Sequence, residues 1–566
     1  MIHRQSHRIR AACLAVALLY GCAGDVPGTG DDLFCAEANA SVDAFLSGFD
    51  APTDSRYGGT AVVSRTQDLA AGMNAFGAPS DFMSVQLQQF AMLMTLVRLN
   101  ADLEFEPYLA SSWELSADGS ELTFALREDV RWHDGEPTTA EDVAFTYRRV
   151  TDPRTGFPNS QYWAYYEGVE VLDTYTVRFR LRPHSDILDP WRTVAIMPQH
   201  LLGDVPPADL ANHPFGQRCP VGNGPFRFID HAGGQQWTFE ANPAFPQDLG
   251  GRPFLDRLVY RIIPEKLTVL TELLTGGVDV YLVALPQHAE QIQSAEGRRL
   301  VAFQGRNYSY ITWNLADDRF SDVMVRKAFA HAIDRQGLVN AIMDGYGIVA
   351  HTSVPPFHWA YDPDVDLLPY DPALARRLLD EAGWVDTNGD GVRDKDGQRL
   401  AFELKTNEGS QQKADALDVI QSHLGAVGVD VTTGFVEVGT FYQQLFDRDF
   451  EAAIGTWNND FKLDDWSLFH SDADTTQYGW GSIDDDELAM YLDTLMLVPD
   501  REESQPLWSA YQQRLAELQP YTFLYFDDRI HGINERLRDV VMDVRGDFVN
   551  VTEWWIPADE RRLRSR

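Results

Sequence analysis

The sequence predicts an α/β protein built as at least two lobes. Short runs with strand character, TYTVRFRL (174–181), LVYRII (258–263), VDVYLV (278–283), SYITWNL (309–315) and AFELKT (401–406), alternate with segments of helical period. The chain has 566 residues, more than one compact core organises. Apolar residues make up 44% and charged residues 23%, which is ordinary for a globular chain.

The N-terminus sets the compartment. Residues 1–10 carry Arg4, Arg8 and Arg10 and no acid, and AACLAVALLYGC (11–22) follows as a short apolar run. Such a run is too short for a permanent membrane span and right for the core of a signal peptide over 1–21. Leu19-Tyr20-Gly21-Cys22 resembles the bacterial lipobox, with Tyr20 in place of the usual small residue. That resemblance implies lipid on Cys22 and a membrane anchor in the periplasm or at the cell surface. The alternative is plain secretion with cleavage nearby. Residues 22–57 are rich in Gly, Pro, Asp and Ala and are expected to form a flexible tether, with SVDAFLSGF as one short helix. If Cys13 leaves with the signal and Cys22 takes lipid, Cys35 and Cys219 remain in an oxidising compartment and are expected to pair.

From residue 58 the chain reads as folded. SELTFALRE (120–128) alternates as a strand, His133-Asp134-Gly135 marks a turn, and EPTTAEDVAFTYRRV starts a helix. Thr138 and Glu141 have capping-box spacing, and Val143, Tyr147 and Val150 share a face. The histidine and acids of this stretch therefore have structural work, and the local sequence supplies neither a nucleophile nor a metal partner. VMVRKAFAHAID (323–334) places Val325, Ala328, Phe329, Ala332 and Ile333 on one face. DPALARRLLDEAG (371–383) has an Asp N-cap, Pro372 at the first helical position and a closing Gly.

Asp386, Asn388, Asp390 and Asp394 match the early part of a calcium-binding EF-hand loop, but Gly397 stands where the bidentate Glu belongs. These four residues are candidate Ca²⁺ ligands; the other reading is a hairpin turn. No H-E-x-x-H, G-x-S-x-G or G-x-x-x-x-G-K-[ST] motif occurs, and no cofactor is expected. A net charge of −38, without a Lys/Arg footprint, argues against nucleic acid as a partner.

Six segments in series carry a family resemblance: WELSADGSELTFALREDVRWHDGEPTTAEDVAFTY (113–147), PVGNGPFRF (220–228), YRIIPEKLTVLTELLTGGVDV (260–280), YITWNLADDRFSDVMVRKAFAHAIDRQGLVNAIMDGYG (310–347), YDPALARRLLDEAGW (370–384) and GTWNNDFKLDDW (455–466). The chain resembles the bacterial extracellular solute-binding proteins of family 5, the peptide- and nickel-binding components of ABC importers. The resemblance implies a two-lobed periplasmic-binding-protein-like fold of the class II, cluster C type with hinge-connected lobes. It implies a first lobe over 58–306 with a return over 528–566, and a second lobe over 307–527. It also implies a monomeric carrier, not an enzyme, that closes on a peptide-like solute and hands it to permease subunits. A sensory or chaperone-like role on the same scaffold, or a non-peptide cargo such as an oligosaccharide or metal chelate, stays open.

Trp457-Asn458-Asn459-Asp460 lines up with a family segment whose Asp receives a peptide's terminal ammonium. Asp460 is thus the candidate for that role, with Trp457 and Asn458 beside it; the bland reading makes Asp460 a local cap. Tyr308 and Tyr310, on a strand beside the hinge, are further candidates against plain packing. The helix at about 411–424, where some relatives carry a carboxylate-clamping cation, has no Arg; Lys405 and Lys413 are the nearest cations.

Overall fold

The computed structural model describes residues 30–49, 52–77, 82–158, 163–365, 367–472, 478–481 and 483–561. Cys22 and the signal segment lie outside the described residues. None of the described helices is long and apolar enough to cross a membrane.

An eleven-stranded mixed sheet runs through both lobes. Its order is 430–436, 401–407, 452–458, 298–313, 521–534, 280–281, 60–65, 257–262, 236–241, 226–232, with 347–349 pairing onto 521–534. A four-stranded antiparallel sheet, in the order 110–115, 121–126, 176–181, 166–173, builds out the first lobe. Leu122, Phe124, Val143, Tyr147 and Trp191 are buried between that sheet and its helix. The second lobe has its own core, with Trp313, Phe329, Leu379, Leu404 and Ile420 fully buried.

The strands Arg298–Trp313 and Tyr521–Asn534 pass from one lobe to the other as an antiparallel pair. Residues 298–304 pair with 528–534 and residues 308–312 with 521–526, and the register shifts between Gln304 and Tyr308. At the shift a Cβ on Gly305 would lie 2.5 Å from the Asp527 carbonyl oxygen, so the close approach of the two strands requires glycine there.

The strand–turn–helix at 120–150 forms as its pattern dictates, with strand Glu121–Leu126 and helix Ala140–Val150. The cap differs by one residue from the spacing argument. Thr139, not Thr138, is the N-cap, and the Asp142 carboxylate accepts from the Thr139 amide at 2.8 Å. His133 is buried; its Nδ1 accepts from the Gly222 amide at 3.2 Å and its Nε2 lies 3.0 Å from the Gly224 carbonyl oxygen. Burial pushes it down to about 4, so it is a neutral buttress of the 220–224 turn.

The expected tether over 22–57 is corrected over 30–46, where the helix expected within 41–49 starts eleven residues earlier. Gly30–Leu46 is a 17-residue helix docked on the first lobe. Cys35, Ala38, Val42 and Leu46 are its buried stripe. Cys35 is disulfide-bonded to Cys219. Phe45 lies against the Gly135 turn, where a Cβ would come within 2.8 Å of its ring. Arg227 pairs with Asp43 at 3.0 Å, and Arg218 with Asp32.

Candidate functional site

Between the lobes lie three adjoining cavities. One of about 280 Å³ is lined by Gln86, Gln89, Arg192, Arg306, Asn458 and Asp460, among others. One of about 160 Å³ sits against the crossover strands and is lined by Arg65, Phe82, Phe303, Arg306, Asp527 and Arg529, among others. A small one of about 30 Å³ lies beside Arg98, Arg192, Phe461 and Arg545. Phe82, Arg306 and Asn458 line the first and second, and Arg192 and Arg545 the first and third, so the three form one cleft.

The strand Ala452–Asn458 delivers Asn458 and, just past its end, Asp460 to the cleft. Asp460 does not stand alone. It accepts from Arg192, on the short helix Pro190–Thr193 of the first lobe, from Arg306 at 3.3 Å and from the Phe461 amide at 2.8 Å. Burial raises its pKa, but the two guanidinium groups outweigh burial and hold the carboxyl below its ordinary value. Arg192 is in turn gripped by the buried Asp189 at 2.8 Å, and burial pushes Asp189 up to about 6 even beside that cation. The guanidinium groups of Arg192 and Arg306 both lie over the Phe461 ring, with centroid distances of 4.8 and 5.1 Å.

The remaining cleft charges are also largely paired. Arg529 grips the fully buried Asp547 at 2.6 Å and lies 4.7 Å over Phe82. Arg545 pairs with Asp543 at 2.7 Å. Arg98 pairs with Glu106 at 2.6 Å. A second contact spans the lobes at the rim, where Arg501 donates to Asp186 at 3.1 Å and the Ser185 amide to the Met496 carbonyl at 3.0 Å.

Of the sequence candidates, Asp460 and Asn458 reach the cleft. Trp457 does not: it alternates with Asn458 along the strand, is absent from the cavity linings, and packs edge-on against Tyr478 at 5.4 Å in the second-lobe aromatic core. Tyr308 and Tyr310 are corrected outright. Both are fully buried, Tyr310 stacked on Tyr521 at 4.4 Å and Tyr308 against Phe523 at 5.4 Å, because their strand lies in mid-sheet with both faces covered. In the 386–397 loop the candidate calcium ligands bind their own loop. Asp386 accepts from the Gly389 and Gly391 amides, Asp394 from Thr387, Asn388 donates to Asp390, and Asp390 pairs with Arg399. No group of three or more His, Cys, Asp or Glu side chains able to hold a metal is found among the described residues.

Sequence reasoning missed Arg65, Arg192, Arg306, Arg529, Arg545 and Asp527. One signal was available: Asp527-Asp528-Arg529 interrupts the otherwise apolar YTFLYF…IHGI strand, and three charges inside a central strand require a wet or paired environment.

Residues 104–479 match the model of the bacterial extracellular solute-binding proteins, family 5, middle region. The chain belongs to this family. The oligopeptide-binding protein AppA of Bacillus subtilis is similar to it, 31% identical over 470 residues that span 81% of this chain and 85% of AppA. The structure of AppA in complex with a nonapeptide superposes with a TM-score of 0.74 at 29% identity, covering 88% of this chain and 99% of AppA. The fold alone is shared with NikA from Brucella suis, solved with Fe(III)-EDTA, with a TM-score of 0.78 at 22% identity and coverage of 88% and 99%. The two-lobed α/β architecture is thus the family's.

Proposed function

We propose that this chain is the solute-capturing component of an ABC importer and that its cargo is peptide-like. It holds the solute between its lobes and delivers it, chemically unchanged, to permease subunits. The observation that carries the reading is the interlobe cleft, a polar space to which both lobes contribute charged side chains, in a family 5 chain similar to an oligopeptide-binding protein. Its charges are held mostly in ion pairs, an arrangement suited to recognition rather than to attack on a bond.

Three narrower statements belong to the same proposal. The lobes change over at 306/307 and 527/528, supported by the register shift and close approach at Gly305. Lipid on Cys22 anchors the monomer outside the cytoplasm, supported by the signal-like segment and the lipobox resemblance. The short stretch between Cys22 and the helix at Gly30 then holds the first lobe close to the membrane.

The test is mass spectrometry of small molecules released when the purified protein is denatured. Co-purified peptides, found intact, are the expected result. Release of a non-peptide solute alone, or turnover of added peptides, would overturn the reading.

A further inference from the structure

The cleft carries carboxylate and guanidinium groups that its internal pairing leaves over. Asp527, the less exposed to solvent of two neighbouring carboxylates with Asp528, lines the cavity of about 160 Å³ beside the crossover. It is two residues from Arg529 on the same strand, so both point to the cleft side. Arg529, however, is committed to Asp547 through contacts of 2.8 and 2.6 Å. Apart from its own backbone amide, the Asp527 carboxylate has no ion-pair or hydrogen-bond partner among the described residues. Arg65, at the end of the strand Thr60–Arg65, lines the same cavity, and its guanidinium likewise has no ion pair or hydrogen bond among the described residues.

Leaving a carboxylate unmatched in a half-buried site is costly, and a bound cation removes that cost. Burial pushes Asp527 up to about 6, so near neutral pH it is still mainly ionised and receptive. Asp460 is in the opposite position. An incoming ammonium would have to displace Arg192, which Asp189 and the Phe461 ring also hold in place.

We propose that Asp527, not Asp460, receives the cationic group of the solute, that Arg65 receives an anionic group of the same solute, and that the cargo is therefore a compact zwitterion. This rests on the peptide-like reading above and narrows it. Opposite charges presented by one cavity of about 160 Å³ suit a short peptide with both termini free, its side chains extending into the adjoining space of about 280 Å³. The charge pairs beside that larger space then shape the cleft, Arg545 with Asp543 within the first lobe and Arg192 with Asp460 from one lobe to the other.

The experiment uses the full mature chain and three random-sequence tripeptide pools: free termini, N-acetylated and C-amidated. Retention is read by equilibrium dialysis with mass spectrometry. Wild type should retain the free pool about ten-fold or more over either blocked pool. Asp527→Asn should abolish discrimination against the acetylated pool, and Arg65→Gln discrimination against the amidated pool. Asp460→Asn should preserve both. Asp527→Ser is carried in parallel, and melting curves confirm that each variant is folded. Discrimination that survives in both Asp527 variants, or is lost in Asp460→Asn, overturns the assignment while leaving a peptide carrier intact. Retention of no pool by wild type overturns the peptide reading itself and this assignment with it.

Discussion

Arg192 of the first lobe donates to Asp460 of the second, tying the two halves across the cleft. The two partners are unequal. Asp189 backs Arg192 and is almost fully buried, whereas the Asp460 side chain is 23% exposed and has Arg306 as a second partner.

That asymmetry sets the first expectation. Arg192→Ala strands the buried Asp189 and should cost about 3–5 kcal/mol of stability. Asp460→Asn leaves Arg192 paired with Asp189 and should cost about 1 kcal/mol. Both should loosen the interlobe tie and shift small-angle scattering toward a larger radius of gyration. Denaturant titration with scattering on the same samples checks both halves; equal stability losses would contradict the argument.

How far the sequence disclosed this arrangement depends on how local the signal is. The helix at 371–383 was fully written in its Asp cap, Pro and closing Gly, and Pro372–Glu381 forms with Asp371 accepting from the Ala373 and Leu374 amides. The cap at 139 was missed by one because two adjacent threonines fit similar spacings, and only the position of the Asp142 carboxylate decides between them. Of the helix at 30–46 only the part within SVDAFLSGF (41–49) was read as helical, because the stripe of Cys35, Ala38, Val42 and Leu46 at spacings of three, four and four starts in a Gly-, Asp- and Ala-rich stretch whose composition hides it. The cleft was the least legible part. Arg65, Arg192, Arg306 and Arg529 come from distant segments, and no short-range pattern announces residues assembled only by the topology of the sheet.

The disulfide yields a second expectation. Cys35 and Cys219 are 184 residues apart, so the bond closes a long loop of the unfolded chain and should contribute roughly 2–5 kcal/mol. The other ties of the N-terminal helix include the exposed pairs Arg218–Asp32 and Arg227–Asp43, each worth at most about 1 kcal/mol. Reduction, or the double change Cys35→Ala and Cys219→Ala, should lower the melting temperature and raise amide exchange across 30–46 ahead of the rest of the first lobe. Uniform exchange throughout that lobe would contradict a local role.

Gly305→Ala tests the crossover. The added methyl carbon meets backbone, the Asp527 carbonyl at 2.5 Å, and no flexible side chain can yield to it. The two strands must separate, at a cost of about 1–3 kcal/mol. Because Asp527 lines the cleft at this point, tripeptide retention should fall together with stability. Unchanged melting would show that the strands adjust freely.

The dependence of stability on pH follows from two opposed sets of buried groups. His133, His184, His358 and His531 are each pushed down to about 4, by burial first of all. Their stabilising contribution is complete above the unfolded histidine value near 6.5 and is lost as pH falls toward 4. Asp189, Asp465 and Asp527 are pushed up to about 6 by burial. In the folded state they take up protons first, so their contribution is complete below the unfolded value near 3.8 and is lost as pH rises through 6. Between pH 4 and 6 the two sets oppose each other, and each group protonated in only one of the two states contributes a slope of about 1.4 kcal/mol per pH unit. Asp465 accepts from Tyr511 at 2.7 Å and from Ser353 at 2.5 Å, and an asparagine oxygen can replace it in both contacts. Asp465→Asn should therefore fold, gain stability at pH 7, and lose one of the three opposing gains. Its stability should then fall more steeply between pH 6 and 4 than that of wild type, by about 1.4 kcal/mol per pH unit. Urea titrations at half-unit pH steps measure both slopes, and parallel curves would show that Asp465 does not change protonation in this range.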